Sequence, residues 1–448
     1  MSRKAYTCAA VIILATAFLY FPLSKALTPA TDASQIVTIG YLPSSIAVDE
    51  STQRVVVANY GGGDPPFTPS VSILDAMSGT VRKTVAVDRF PYALALDGRH
   101  HRAIVAIGGV QGRVPSSLIG IDTRTGTTAW RTVVPVPPLV ISLDRATGLA
   151  FLGVALNTPL SGGRIEIIDT ATGRLRGRIA LRFTPKAVAI DEQRGLLFVV
   201  GTAHNQVGRL LVLDTRTNSV KETVAAGIEP SAVAVDVRHH RIVVLNIGWA
   251  SATCVLPKAP SCRFGSSASI FDERNGRRLQ TVSVGPTPLQ VVVDEQAQRA
   301  FVVSEGDGQG GPGSLSVLDE QSGRLVRTAT LGPNPTAIAV DPRRMRVFVA
   351  DSDKIDVFAT RNGRLIRTLA VAATASALVV DETTGRTFVA SSNSAGDPTP
   401  AYATTDTSFL DHILAGIGTT MNHQLGALRG KQAGVVSIFG NVASATQH

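Results

Sequence analysis

The side chains best suited to chemistry in this chain are oxygen-bearing ones that stand just beyond apolar runs: Asn59, Asp64, Asn246, Glu305, Asp307, Asp351, Asp353 and Asn393. Brought to one point, they would offer calcium its roughly six to eight hard oxygen ligands. Kept apart, groups of this kind bond to nearby backbone in turns. The expectation is that no cofactor or metal is held, with calcium or another divalent cation as the alternative. Tyr60 and Trp249 follow the same kind of run, where an exposed ring anchors a partner or packs on its own chain.

Histidine offers less. His100-His101 and His239-His240 recur in equivalent polar turns and are expected to be solvated. His412 and His423 lie in a long insertion where Phe409, Leu410, Ile413 and Leu414 fall at helical spacing behind a Thr407-Ser408 cap, which predicts a short helix. No C-x-x-C-H, H-E-x-x-H, G-x-S-x-G or P-loop pattern occurs, which removes the commonest haem, zinc, serine-nucleophile and nucleotide chemistries. The string from Gly306 to Gly313 is not followed by a helical pattern, so it reads as a surface loop rather than a phosphate cradle.

What positions these residues is a repeat. A unit begins with Pro and closes a small-apolar run with Asp six residues later. It occurs at Pro43–Asp49, Pro91–Asp97, Pro138–Asp144, Pro185–Asp191, Pro230–Asp236, Pro288–Asp294 and Pro335–Asp341, and Ala375–Asp381 is an eighth copy without the Pro. After each Asp come a polar turn, a second apolar run such as Val55 to Ala58, a variable loop, and a third run ending in Asp75, Asp122, Asp169, Asp214, Asp272, Asp319 or Asp356. A Gly- or Asn-containing turn and a fourth run complete the unit. Four Val- and Ile-rich strands per unit predict an all-β fold, a β-propeller of four-stranded blades with eight blades, seven being the alternative. Ile36 to Gly40 precedes the first unit and the last unit stops after Val435 to Phe439, so the N-terminal strand is expected to complete the last blade. That closure removes free edges.

The apolar strand ending near Asn, the hydrophobic-Asp turn and the Thr-Val-x-Val run into Pro resemble the YVTN-type β-propeller repeat proteins of bacterial envelopes, over roughly Ile36 to Phe439. That resemblance implies an exported propeller with a binding or scaffolding role; similar blades also occur in quinoprotein-like dehydrogenase subunits. The Asn typical of the family stands here at Asn59 and Asn246, and Ile107, Val154, Gly201, Ser304, Asp351 and Ser391 occupy the equivalent positions.

Export is also read from the residues themselves. Met1-Ser2-Arg3-Lys4 leads into an apolar run from Ala9 to Phe21 and a small-residue site at Ser24-Lys25-Ala26. The run falls short of the roughly 20 residues that span a bilayer, so a cleaved signal peptide is expected, with an uncleaved anchor as the alternative. The resulting division is a signal peptide over 1–26, a linker over 27–35, the propeller over 36–440 with an insertion at 392–434, and a tail over 441–448. Cys8 leaves with the signal; Cys254 and Cys262 remain, and in an oxidising compartment they are expected to pair as a local disulfide. The location is then periplasmic or secreted, with no membrane span after cleavage, and the protein a monomer.

A propeller built this way has two unlike faces. Tight turns of near-constant length lie on one, and every long insertion lies on the other: 61–69, 108–115, 157–163, 248–267, 306–313 and 392–434. Variable loops on a rigid frame are where binding sits. The chain holds 43 Lys and Arg against 34 Asp and Glu, a formal charge of +9, and the basic excess falls on the tight-turn face. It either attracts an anionic polymer or is neutralised as each turn Asp meets a following Arg, as in Asp49 with Arg54 or Asp341 with Arg343. The expected function is binding of a protein, glycan or other envelope ligand by the long-loop face. The alternatives are a propeller enzyme, either a cation-dependent lactonase-like hydrolase or a quinoprotein-like oxidoreductase subunit, and nucleic-acid binding through the basic turns.

Overall fold

The computed structural model describes residues 33, 35–61, 68–109, 114–156, 162–203, 207–248, 265–307, 310–392 and 434–440. They form eight antiparallel four-stranded sheets. Blade one is typical, with strands Pro43–Asp49, Arg54–Asn59, Ser70–Asp75 and Val81–Ala86 running from the axis outward. The first strands of blades two to eight begin at Pro91, Pro138, Thr184, Pro230, Pro288, Pro335 and Thr374. Each packs beside the first strand of the next, and that of blade eight meets blade one, closing the ring. Blade eight takes its outermost strand from the chain start: Gln35–Thr38 pairs with Val435–Phe439. The expected eight blades and closing strand are both present.

Both markers of the repeat act locally. In every blade the register shifts by one residue just after the Pro of the inner strand, or after Ala375 in blade eight, so the next side chain bulges out of the ladder. The Asp that ends the strand turns the chain. Asp144 Oδ1 accepts the amides of Ala146 and Thr147 at 2.9 and 3.2 Å, and Asp191 Oδ1 those of Gln193 and Arg194 at 2.8 and 3.0 Å. These amides have no ladder partner, and the short carboxylate side chain supplies one.

The second and third strands are buried almost throughout and meet those of neighbouring blades in apolar seams. Phe198, Val200 and Leu210 of blade four pack with Ile242, Val244 and Phe271 of blade five. The closing seam is built the same way, with Val55, Val57 and Leu74 against Phe388, Ala390, Val436 and Ile438. Gly120 in the third strand of blade two leaves room for a ring: a Cβ there would stand 2.2 Å from the Trp130 ring, whose Nε1 donates to Thr170 O at 2.9 Å.

Two expected details differ. The third strand of blade seven runs Lys354–Ala359, so Asp356 lies within it rather than at its end. Asp356 is taken up there by Lys354 Nζ at 2.9 Å and Thr368 Oγ1 at 2.6 Å, while Asn362 organises the following turn. The turn ion pairs also run elsewhere. Arg54 reaches Asp75, not Asp49, and Asp341 pairs with Arg344, not Arg343. The second strand starts opposite the end of the third, so its arginine is nearer that Asp; Arg102–Asp122 at 2.7 Å and Arg299–Asp319 at 2.6 Å repeat the arrangement.

Candidate functional site

On the long-loop face, each second strand ends against the crossover that arrives from the preceding blade. Asn59 is fully buried, and its Nδ2 donates to Ser70 and Ser72 Oγ at 3.2 and 3.0 Å. A Cβ on Gly40, in the crossover, would stand 2.6 Å from Asn59 Nδ2. Asn246 Oδ1 accepts the Gly227 amide at 3.0 Å, and its Nδ2 donates to Ser269 Oγ at 3.1 Å. Asp351, also fully buried, accepts the Gly332 amide and lies 3.5 Å from Lys354 Nζ. These three candidates therefore stand on blades one, five and seven, each engaged in the seam it borders. Glu305 is half-buried on blade six, with Asp307 exposed beside it, and Asp353 is exposed on blade seven. Among the described residues no cluster of His, Cys, Asp and Glu is arranged to hold a metal ion.

At the mouth of the channel the bulged residue of four first strands reaches the next blade. Ser44 Oγ, Tyr92 Oη and Ser231 Oγ donate to Pro91, Pro138 and Pro288 O, each at 2.8 Å, and Thr336 Oγ1 donates to Ala375 O at 2.9 Å. Each bond ties one blade to the next. In blade four the bulged residue is Lys186, whose pKa is lowered by burial against the opposing pull of Glu229. The sequence reading passed over this position; its signal is a residue type that varies freely just after an otherwise regular Pro.

Tyr60 stacks on Phe90 with ring centroids 4.6 Å apart and planes 16° from parallel. Both rings are half-buried at the junction of blades one and two, and burial pushes the Tyr60 hydroxyl up to about 12. Their backbones are pinned, Tyr60 N–H to Leu42 O at 2.8 Å and Gly108 N–H to Phe90 O at 2.9 Å. The expected candidates Asp64, Trp249, Asn393, His412 and His423, the Cys254–Cys262 pair, the helix around 409–414 and the signal segment lie outside the described residues.

The tight-turn face holds more buried charge than its spacing suggests. Three of the four histidines expected in solvent are partnered: His100 Nδ1 lies 2.8 Å from Asp97, His239 Nδ1 2.8 Å from Asp236, and His240 Nδ1 3.0 Å from Glu273, while His101 Nδ1 is buried with no hydrogen-bond partner. The carboxylate that turns each first strand supplies the partner in the first two cases, three residues away. The aspartates that end the third strands each meet a basic side chain, arginine at all but Asp214, which meets Lys221. In blade one Arg54 and Arg82 both reach Asp75. Ion pairing of this kind cancels turn charges of both signs and leaves the net basic excess in place.

Comparison with known proteins agrees with this architecture. A β-propeller is the class the fold defines, and the family model described as outer membrane protein assembly factor BamB matches residues 68–252. No curated protein matches. The solved structure of BamB from Moraxella catarrhalis superposes with a TM-score of 0.55 at 15% identity, over 81% of this chain and 97% of that one. Kuenenia stuttgartiensis hydrazine synthase gives a TM-score of 0.54 at 15% identity, over 76% and 99%. Dihydro-heme d1 dehydrogenase NirN gives 0.56 at 12% identity, over 78% and 73%. At such identities the likeness establishes the fold alone. No helix among the described residues is long and apolar enough to cross a membrane.

Proposed function

We propose that the chain is an exported, non-enzymatic scaffold whose long-loop face holds a protein of the cell envelope. The Tyr60–Phe90 stack carries this reading: a half-buried aromatic platform on a pinned backbone is the kind of anchor that dominates protein interfaces. The match to an outer membrane assembly factor supports a protein partner over a glycan or small ligand. Glu305, Asp307 and Asp353 rim the same face, and Asp64, Trp249, Asn393, His412 and His423 are proposed as further contact residues. The repeat spacing supports a YVTN-type propeller, and the basic and apolar opening residues support a periplasmic or secreted location. The enzymatic reading rests on shared fold alone, which hosts many chemistries.

The test is site-directed photocrosslinking in cells that export the full chain. A crosslinker at Phe90 should give one discrete adduct with an envelope protein, and a crosslinker at the exposed tight-turn residue Arg216 should give none. Adducts from Arg216 alone, or from neither position, would overturn the assignment. Cys254 and Cys262 are proposed to pair beside this face; alkylation of the unreduced, denatured protein should leave both unmodified, and two added alkyl groups would refute the pairing.

A further inference from the structure

At four seams the Asp that ends a first strand meets a side chain from the next blade, each time the residue just after the end of that blade's third strand. Between blades two and three the group is a hydroxyl, with Thr170 Oγ1 donating to Asp97 Oδ2. Between blades three and four Thr215 Oγ1 donates to Asp144 Oδ2 at 2.6 Å. At the next two seams the same position is a carboxylic acid: Glu273 meets Asp191, and Glu320 meets Asp236. Both glutamates are buried, 4% and 3% exposed.

Two ionised carboxylates have only acceptor oxygens, so a hydrogen bond between them requires a proton. No protein donor reaches either oxygen of buried Glu320, nor Glu273 Oε1, while Arg194 Nη1 stands 3.8 Å from Glu273 Oε2. Glu273 Oε2 lies 3.0 Å from His240 Nδ1, and His240 Nε2 lies 3.2 Å from Arg194 Nη2. Arginine only donates, so Nε2 accepts, Nδ1 carries the hydrogen, and His240 is neutral. Arg194 Nη1 is turned to Asp191 at 2.7 Å and to Val237 O at 3.0 Å.

We propose that the tight-turn side of blades four to six is a proton-held clamp, in which Asp191–Glu273 and Asp236–Glu320 each keep one proton at neutral pH and release it in alkali, opening the two seams they bridge. The groups facing Glu273 are Asp191, Arg194, His240 and Arg274; those facing Glu320 are Asp236, Glu295 and Arg241. Glu295 itself faces Asp236, His239 and Asp191, and accepts the Val237 amide at 3.0 Å. Burial, then the neighbouring carboxylate, pushes Glu273 up to about 8 against Arg194 and Arg274, and Glu320 up to about 10 against Arg241. A folded-state pKa raised above the unfolded value makes stability fall as pH climbs towards it. The loss therefore begins above the ordinary carboxyl value of 4.5 and runs up to about 8 for Glu273 and about 10 for Glu320. The hydroxyl seams built on Thr170 and Thr215 hold no such proton.

The experiment follows urea unfolding of the full chain from about pH 6 to about pH 10 for the native protein, Glu320→Gln and Glu320→Thr. Each proton kept only by the folded form lowers the folding equilibrium constant about tenfold per pH unit. An amide imitates the protonated acid, and Thr recreates the neighbouring hydroxyl seam, so both variants should lose about a tenfold-per-unit share of the native slope. A slope unchanged by either substitution would overturn the clamp. Should the variants not fold, infrared spectra of the native protein decide. A protonated-carboxyl carbonyl band present near neutral pH and lost reversibly in alkali supports the clamp, and its absence near neutral pH refutes it.

Discussion

Thr215 and Thr360 occupy the same place in blades four and seven, each just past the third strand and each fully buried, yet only one has a partner. Thr215 Oγ1 donates to Asp144 Oδ2 at 2.6 Å, whereas Thr360 Oγ1 has no partner and neither does Asp294 Oδ2, the carboxylate oxygen across its seam. Valine in place of threonine exchanges the hydroxyl for a methyl at nearly the same volume, so the two substitutions isolate the hydrogen bond. A hydrogen bond to a charged group contributes about 1.5–3 kcal/mol. Asp144 Oδ1 keeps its two turn amides, so Thr215→Val removes one of three donors, and the loss should be about 2 kcal/mol. Thr360→Val instead deletes a buried hydroxyl that bonds to nothing, and should be neutral or stabilising by about 1 kcal/mol. The expected gap of about 3 kcal/mol is read from urea midpoints at constant slope. Equal shifts for the two variants would show that the seam hydroxyls act by packing alone, and would remove the basis for treating the glutamates at the same position as proton donors.

Two further perturbations test other parts of the frame. Gly120→Ala puts a methyl into the Trp130 ring, which packs across the seam to blade three; it should cost about 1–3 kcal/mol as overpacking and perturb tryptophan fluorescence. Acid should loosen the third-strand turns. Burial by itself would raise the carboxyls of Asp75, Asp122 and Asp169, but turn amides, hydroxyls and arginines outweigh it and hold each down to about 2. Their folded values lie below the ordinary one, so their contribution is present above about pH 4 and lost as pH falls towards 2. Arg82→Leu should move acid unfolding to higher pH, and an unchanged acid midpoint would count against this ion pair.

The blades were legible because their markers work within a few residues. Proline opens the inner pairing and aspartate caps its turn in most units, and both effects repeat wherever the residues do. The long-range partners were not legible. Asp97 and Thr170 are 73 positions apart, and no local pattern says that the residue after one third strand will reach the first strand of the previous blade. Arg54 was assigned to Asp49 because it is near in sequence, whereas antiparallel pairing puts Asp75 opposite it. Asn59, Asn246 and Asp351 stood out as oxygen donors, but nothing in their spacing tells a ligand site from a clamp on the incoming crossover; that distinction needs Gly40, Gly227 and Gly332, which approach them without a side chain.

The two faces divide the work of the ring for a physical reason. A closed propeller has eight seams, and each must satisfy buried polar groups at both ends of its strands. On the long-loop face much of this is done with neutral groups, hydroxyls to backbone carbonyls at the channel mouth and the Asn246 cap at its crossover, with buried Asp351 beside Lys354 as a charged exception. On the tight-turn face it is done with carboxylates, whose energy depends on pH and on each neighbour's identity. Thr at the seam position makes the bond insensitive to protons, and Glu makes it conditional. On the proposed clamp, the seams from blade four to blade six are therefore where the frame responds to pH.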